Sequence, residues 1–115
     1  MTSNTDSLNG DEFLALIDGL SNPQRLRIVA ALASGRNYVS QLARDLQMSR
    51  PLLYLHLQRL EAAGLVRGTL ELSDDGKAMK YFEVIPFSVT LTPERIVIAM
   101  DTLTLSKHEA KQEAP

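Results

Sequence analysis

The segment Met48-Ser-Arg-Pro-Leu-Leu-Tyr-Leu-His-Leu-Gln-Arg-Leu-Glu-Ala-Ala-Gly-Leu-Val66 predicts a helix with a defined start, a defined end and two different faces. Ser49 is a good N-cap because its hydroxyl can accept a hydrogen bond from a free amide of the first turn, where Pro51 is also tolerated. Gly64 can adopt the left-handed conformation that ends a helix. At 100° per residue, Leu53, His56, Leu57 and Leu60 face inward, whereas Pro51, Tyr54, Leu55, Gln58 and Ala62 lie opposite. The outward face therefore offers a phenol, an amide and an apolar tip for contact.

The composition sets the limits of the interpretation. A chain of 115 residues forms one domain that can bury a core. The absence of cysteine excludes disulfides, thiolate metal sites and cysteine nucleophiles. No apolar run approaches the length of a membrane span, and the polar start from Thr2 to Asn9 differs from a signal peptide. We therefore expect a soluble, cytoplasmic protein with no membrane contact.

The charges are unevenly distributed along the chain. Residues 1–22 carry a formal charge of -4, residues 23–81 carry +4, and residues 82–115 carry -2. A polyanion would be attracted to the middle of the chain and repelled by its ends. The alternative is a solvated surface on which the asymmetry has no function.

Three helices are predicted before the central one. Residues 1–10 have little to bury and predict a mobile tail. A first helix covers Asp11 to Leu20, with Phe13, Leu16, Ile17 and Leu20 at helical spacing. A second starts at Asn22-Pro23 and runs to Ser34, before Gly35. Its predicted apolar stripe contains Leu26, Val29, Ala30, Leu32 and Ala33, and leaves Arg25 and Arg27 outside it.

The third helix and its connection are the most informative of these. It spans about Val39 to Leu46, with Asn37 as a candidate cap, and only Gln47-Met48 separates it from Ser49. Two helices joined by so short a link, the second with an outward contact face, predict a helix-turn-helix.

The segment after the central helix predicts a β-hairpin. Residues 65–72 and 78–85 are strand-like, and an Asp75-Gly76 pair lies in the connection between them. A hairpin directly behind a helix-turn-helix predicts a winged helix, which is a mainly α fold of four helices, two strands and a final helix. Lys77 and Lys80 are then predicted phosphate contacts, although Asp74 and Asp75 oppose this at the tip.

The final helix is predicted from Thr92-Pro93 to about Lys107. Its apolar residues cover more than one stripe, so it must bury a second face, and the simplest partner is another copy of the chain. Residues 108–115 are predicted to fray, which places the folded domain at residues 11–107.

Several of these segments together resemble the ArsR-type winged-helix transcriptional regulators. The resemblance rests on Leu20-Ser-Asn-Pro-Gln-Arg-Leu-Arg-Ile-Val-Ala-Ala-Leu32, Val39 to Leu46, and Ser49 to Val66, and it extends from about Leu20 to Val84. It implies a homodimer, paired through its first and last helices, that binds operator DNA and represses transcription. The implied dimer residues are Phe13, Leu16, Ile17, Leu20, Ile96, Val97, Met100 and Leu103.

The chain departs from the metal sensors of that family. It has no cysteine, and its last helix offers Asp101 and His108 without the other ligands that a closed site needs. His56 lies on the inward edge of its helix and is expected to be a core residue. We therefore predict no metal and no cofactor.

An enzyme is not expected. Ser40, Asp45 and His56 can be drawn as a triad, but Ser40 and Asp45 lie on a solvated helix whereas His56 packs inward. The chain also has no Gly-rich phosphate loop.

The predicted partner is double-stranded DNA. Gln58 can pair with adenine, Arg50 with guanine or a phosphate, and Leu55 with a thymine methyl group. The major-groove set is Ser49, Arg50, Pro51, Tyr54, Leu55 and Gln58, and the predicted phosphate contacts are Arg36, Ser40, Gln41 and Arg44. The alternative is a protein-interaction module that uses the leucine-rich face of the same helix, around Leu52, Tyr54 and Leu55.

Overall fold

The computed structural model describes residues 3–4 and 7–105. Over those residues the chain forms five helices and five short strands, so the predicted mainly α fold with a β-hairpin is confirmed. No described helix is long and apolar enough to span a bilayer. The helices are α1 Gly10–Leu20, α2 Pro23–Ala33, α3 Val39–Leu46, α4 Arg50–Ala62 and α5 Pro93–Met100, and the strands are β1 Ser3–Asn4, β2 Asn37–Tyr38, β3 Val66–Leu72, β4 Ala78–Val84 and β5 Phe87–Ser88.

The core forms where the inward face of α4 meets the other elements. Leu53, Leu57 and Leu60 are at most 1% exposed, and they pack in one cluster with Ile28 of α2 and Leu42 of α3. Burial of a leucine side chain contributes roughly 1.5–3 kcal/mol, so these contacts hold α4 with its opposite face outward. The predicted inward face of α4 is therefore confirmed.

Both ends of α4 are capped as predicted. The Ser49 hydroxyl accepts a hydrogen bond from the Leu52 amide at 3.3 Å. Gly64 has a φ of 77°, and the next residue, Leu65, donates its amide to the carbonyl of Leu60 at 2.9 Å. A left-handed glycine with this hydrogen bond is the usual C-terminal motif of an α-helix, and it directs the chain into β3.

The link between α3 and α4 depends on a left-handed residue. Gln47 has a φ of 53°, and the Met48 amide donates to the carbonyl of Ala43 at 2.9 Å. This closes α3 and starts α4 within two residues. The predicted short connection is confirmed, but a left-handed glutamine is uncommon and its conformation could not be inferred from the sequence.

The predicted capping of α3 by Asn37 is wrong. Its side-chain oxygen accepts from the amide of Tyr38 at 2.9 Å, and Tyr38 occupies the cap position without a side-chain hydrogen bond to α3. Asn37 and Tyr38 instead form β2, which pairs antiparallel with Phe82 and Tyr81 of β4. The sheet therefore has three strands in the order β2-β4-β3, because the segment before α3 completes the open edge of the hairpin.

The predicted apolar stripe of α2 is wrong in part. Leu26 is 52% exposed, whereas Arg25 is buried. The Arg25 Nε donates to the carbonyl of Gly19 at 2.7 Å, and Nη2 donates to that of Asp18 at 3.2 Å. Arg25 thus satisfies the Gly19 carbonyl and adds a bond to that of Asp18, which also accepts from Ser21, at the end of α1, where the helix dipole favours a cation.

The last helix ends earlier than predicted, at Met100 rather than near Lys107. The Thr102 hydroxyl accepts from the amide of Gly10 at 2.6 Å, and Thr104 donates its amide to the Asp11 carboxylate at 3.0 Å. The Thr104 amide therefore bonds to α1 rather than to the Met100 carbonyl, which would be its partner in a continued helix, and β-branched threonine does not favour continuation. Lys107 and the predicted frayed segment 108–115 lie outside the described residues.

Part of the segment predicted as a tail of residues 1–10 belongs to the fold, whereas residues 1–2 and 5–6 lie outside the described residues. Asn9 caps α1 by accepting from the amide of Glu12 at 2.8 Å, and the Glu12 carboxylate accepts from the amide of Asn9 at 2.9 Å. α1 consequently begins at Gly10. The backbone of Ser3–Asn4 pairs parallel with that of Phe87–Ser88.

Candidate nucleic-acid interface

The outward face of α4 is exposed, as the sequence predicts. Arg50, Tyr54, Leu55 and Gln58 are all exposed, whereas His56 and the leucines opposite are buried. The side chains of Arg50, Tyr54 and Gln58 make no hydrogen bond or ion pair to the part of the chain that the structure describes. Their polar groups are therefore available to a partner.

Ser49 and Pro51 shape the start of that face. Both residues are exposed, but the Ser49 hydroxyl is already engaged in capping α4. Pro51 lies in the first turn, where its missing amide costs no helical hydrogen bond. Their direct role is to begin the helix at Arg50.

The predicted phosphate contacts of α3 form a connected chain of side chains. Arg44 donates through Nη2 to Gln41 Oε1 at 2.7 Å, and Gln41 donates through Nε2 to Asp45 Oδ1 at 2.7 Å. Arg44 remains exposed, whereas Ser40 and Gln41 are half-buried. The carboxylate of Asp45 holds Gln41 and through it orients the guanidinium of Arg44.

Arg36, another predicted phosphate contact, is occupied by the sheet. Its guanidinium forms two hydrogen bonds with the Glu71 carboxylate and lies 4.3 Å from the ring centroid of Tyr81. These bonds raise the pKa of Arg36 and lower that of Glu71. A paired and stacked guanidinium is less available to DNA, so Arg36 is better described as a link between β2 and the hairpin.

The hairpin carries two exposed lysines, Lys77 and Lys80. Lys80 alone lies near an aromatic ring, with its Nζ 5.6 Å from the ring centroid of Phe82. On β3, Leu70 and Leu72 are 67% and 75% exposed. Their alternation along β3 places these two leucines on one face of the hairpin.

A cleft of about 220 Å³ lies where the helix-turn-helix meets the hairpin. Tyr38 and Ser40 line it from the start of α3, Arg50 and Tyr54 from α4, and Lys80 from β4. Tyr38 was not predicted as a site residue, because its place beside α4 depends on the β2 pairing.

His56 is 8% exposed on the inward edge of α4, and its Nδ1 has no hydrogen-bond partner in the described structure. Burial lowers the pKa of His56, and the charges of Arg25 and Arg59 lower it further. The imidazole is therefore neutral in the folded protein near pH 7. Over the residues described, no three His, Asp or Glu side chains are grouped as metal ligands.

The folded protein should lose stability as the pH falls below about 6.5. Because the folded-state pKa of His56 lies below the unfolded value, the unfolded chain binds the extra proton in this range, at a cost of up to about 1.4 kcal/mol per pH unit. Urea unfolding at pH 7.5 and 5.5 measures the loss. His56→Leu should flatten the dependence between these pH values; an unchanged slope in that variant would contradict the assignment.

The predicted dimer residues divide into three groups by burial. Phe13 and Leu16 are buried inside the protomer, and the Arg95 guanidinium lies 4.4 Å from the ring centroid of Phe13. Both pack within the protomer, and the assignment of this set to a dimer interface stays a prediction. Ile17, Leu20 and Leu103 are half-buried, and Ile96, Val97 and Met100 are exposed on α5.

A helix-turn-helix followed by a hairpin that packs beside the second helix defines a winged helix-turn-helix protein. Residues 22–67 match the family described as bacterial regulatory protein, arsR family. An uncharacterized HTH-type transcriptional regulator of Methanocaldococcus jannaschii is 34% identical over 79 residues, which cover 69% of this chain and 82% of that protein. The chain belongs to the ArsR family of transcriptional regulators, so the expectation that it is not an enzyme is confirmed by its family.

Solved structures share the fold. The homodimeric winged helix-turn-helix DNA-binding domain of Mb0332 from Mycobacterium bovis, a possible ArsR-family regulator, is 21% identical with a TM-score of 0.59, covering 91% of this chain and 88% of its own. HlyU from Vibrio cholerae is 20% identical with a TM-score of 0.58, covering 90% of this chain and 98% of its own. At these identities the likeness concerns the fold.

Proposed function

We propose that the protein is a cytoplasmic, homodimeric repressor that binds an inverted-repeat operator in double-stranded DNA. The outward face of α4 carries the proposal, because Arg50, Tyr54 and Gln58 are exposed on a helix whose other face is fixed in the core. An α-helix fits the major groove, where the pattern of donors and acceptors distinguishes all four base pairs.

The side chains of α4 suggest how bases are recognised. Gln58 can form two hydrogen bonds with adenine, and Leu55 can contact the methyl group of thymine. Arg44, Ser40 and Gln41 on α3 contact the phosphates, which fix the register without reading the sequence. The wing, which is the hairpin of β3 and β4, adds Lys80 and Lys77 to the phosphate contacts.

The exposed face of α5 supports the homodimer. Ile96, Val97, Ile98 and Met100 are 47–68% exposed on a helix of eight residues. Ile96 and Met100, four residues apart, share one face of this helix, and exposed apolar surface of this kind usually marks a protein interface. In the Mb0332 domain, the same fold is homodimeric. A symmetric pair would present two α4 helices to half-sites about 34 to 36 Å apart, and thus an inverted repeat.

The proposal is tested by selecting bound duplexes from a random pool and titrating the enriched sequence. A palindromic consensus and salt-dependent affinity are expected. Transcription in vitro from a promoter that contains the selected site should fall when the protein is added. Recovery of no enriched sequence, together with no binding to any duplex at low salt, would refute the function.

Gln58→Ala should lose discrimination at one base position by about 1 to 3 kcal/mol, because the paired amide reads one base. The matched control is Arg44→Ala, which should weaken specific and random binding alike and lower the salt slope by about one unit. Fluorescence titration of both variants against the selected site and its single-base variants measures this. Equal losses on specific and random duplexes for Gln58→Ala would contradict its assignment.

A protein-interaction module is the second candidate. Leu52 and Leu55 on α4 and Leu70 and Leu72 on the wing are 41–75% exposed, which is a large apolar area for a surface that meets DNA. Titration with random duplex at low salt separates the two functions. A DNA-binding protein must show salt-sensitive affinity, whereas an interaction module need not bind the duplex at all.

A further inference from the structure

The cleft between the helix-turn-helix and the wing has a distinctive charge. Arg50 and Lys80 are its only charged lining residues, and no carboxylate lines it. Two other arginines are paired, since Arg36 bonds to Glu71 and Arg67 bonds to Glu83. Arg50 and Lys80 have no carboxylate partner in the described part of the chain. Two cations without a carboxylate partner, one from α4 and one from β4, in the lining of one cleft favour an anion there.

Hydroxyl groups in the cleft indicate what kind of anion fits. Tyr38, Ser40 and Tyr54 each place a hydroxyl-bearing side chain in the lining. Hydroxyl donors together with a guanidinium and an ammonium match an oxyanion that has several acceptor oxygens, such as phosphate. The amino end of α3 lies at the same place and adds partial positive charge.

The position of Lys80 depends on a glycine in the neighbouring strand. A Cβ at Gly68 would lie 2.9 Å from Lys80 Cε and 2.8 Å from Phe82 Cε1. The Lys80 side chain therefore crosses the bare backbone of β3 while its ammonium lies near the Phe82 ring. A side chain at position 68 would therefore displace Lys80.

We propose that this cleft holds one phosphate of the DNA backbone, clamped by Arg50 from α4 and Lys80 from β4. The inference rests on the proposed DNA-binding function and deepens it, because it assigns Arg50 to the backbone rather than to guanine. The cleft adjoins the first turn of α4, so a duplex that takes α4 into its major groove brings a strand across it.

The salt dependence of binding tests the clamp. The logarithm of the binding constant falls linearly with the logarithm of the salt concentration. In duplex DNA the slope of this line changes by about 0.9 for each phosphate that the protein neutralises. Arg50→Ala and Lys80→Ala should each weaken binding about tenfold, and the double variant should lose about one unit of slope in total rather than two. The matched control is Arg50→Ala combined with Lys77→Ala, whose losses should multiply, since Lys77 lies outside the cleft.

A duplex with neutral methylphosphonates at successive positions locates the phosphate. At one position in each half-site, the neutral group should lower the affinity of the wild-type protein for the duplex. The same group should not change the affinity of the Arg50→Ala, Lys80→Ala double variant. Independent losses that lower the slope by two units, or a change of base preference in Arg50→Ala, would overturn the clamp. Thermal unfolding of the variants verifies that these exposed substitutions leave the fold intact.

Two further outcomes separate the possible sources of failure. If inorganic phosphate shifts the amide resonances of Ser40 and Lys80 while the variants bind duplex normally, the site serves a free anion and the backbone assignment is wrong. If the wild-type protein binds no duplex at all, the proposed function itself fails. A wild-type protein that binds duplex, with variants whose effects are independent, refutes only the clamp.

Discussion

Replacing Met100 with aspartate should convert the protein to a monomer and lower its affinity for an inverted-repeat operator by about 100-fold or more. Met100 is 48% exposed on the apolar face of α5, where a carboxylate would be buried without a partner if a second copy packed there. Loss of the dimer removes the second half-site contact, which otherwise forms at high effective concentration. Sedimentation at micromolar concentration and duplex titration measure the two effects.

Ile96→Asp should act in the same way, because Ile96 lies one turn earlier on α5 and is 47% exposed. The matched control for the oligomeric state is Leu72→Asp, which places the same charge at a highly exposed leucine of the wing. It should sediment like the wild type. A wild-type protein that is already monomeric at these concentrations would remove the dimer from the proposed function.

Replacing Gly10 with alanine should destabilise the protein by about 2 to 3 kcal/mol, at the upper end of the range for overpacked sites. A Cβ at this position would lie 2.1 Å from the carbonyl oxygen of Ala99 and 2.7 Å from the amide nitrogen of Leu103. Both are backbone atoms, so only a displacement of α5 from α1 relieves the overlap. Urea unfolding measures the loss, and the same displacement should weaken dimerisation.

Gly19→Ala is the control for this effect, because it lies in the same helix and meets only side-chain carbons. Its Cβ would lie 3.0 Å from Ala63 Cβ and 3.1 Å from Leu65 Cδ1. Side chains can adjust by a few tenths of an ångström, so a change within about 1 kcal/mol is expected. Stability equal to the wild type in Gly10→Ala would show that the contact between α1 and α5 is not tight in solution.

The sequence predicts best those features that depend on neighbouring residues. α3 begins and ends at the predicted residues, and the inward face of α4 follows from its helical period. Ser49 and Gly64 act as the caps that their residue types favour, since a cap is a local interaction. The exposure of Arg50, Tyr54 and Gln58 follows in turn, because fixing one face of a helix fixes the other.

Features that depend on distant contacts were missed. A strand of two residues such as Asn37–Tyr38 has no period to detect, and its pairing with β4 joins segments more than 40 residues apart. The burial of Arg25 depends on where the carbonyls of α1 end. The early end of α5 depends on the bonds of Thr102 and Thr104 to α1. The clustering of Tyr38, Arg50 and Lys80 needs all three elements in place.

The pairing of β2 with β4 also bears on how the protein adapts to DNA. Tyr38 ends β2 and is followed directly by the first residue of α3, so no hinge separates the reading unit from the wing. The helix-turn-helix and the β3–β4 hairpin should therefore move as one rigid body. A duplex of unsuitable local curvature must then bend to fit both contacts at once, and the preference for easily bent sequences would become a source of specificity at bases that the protein never touches.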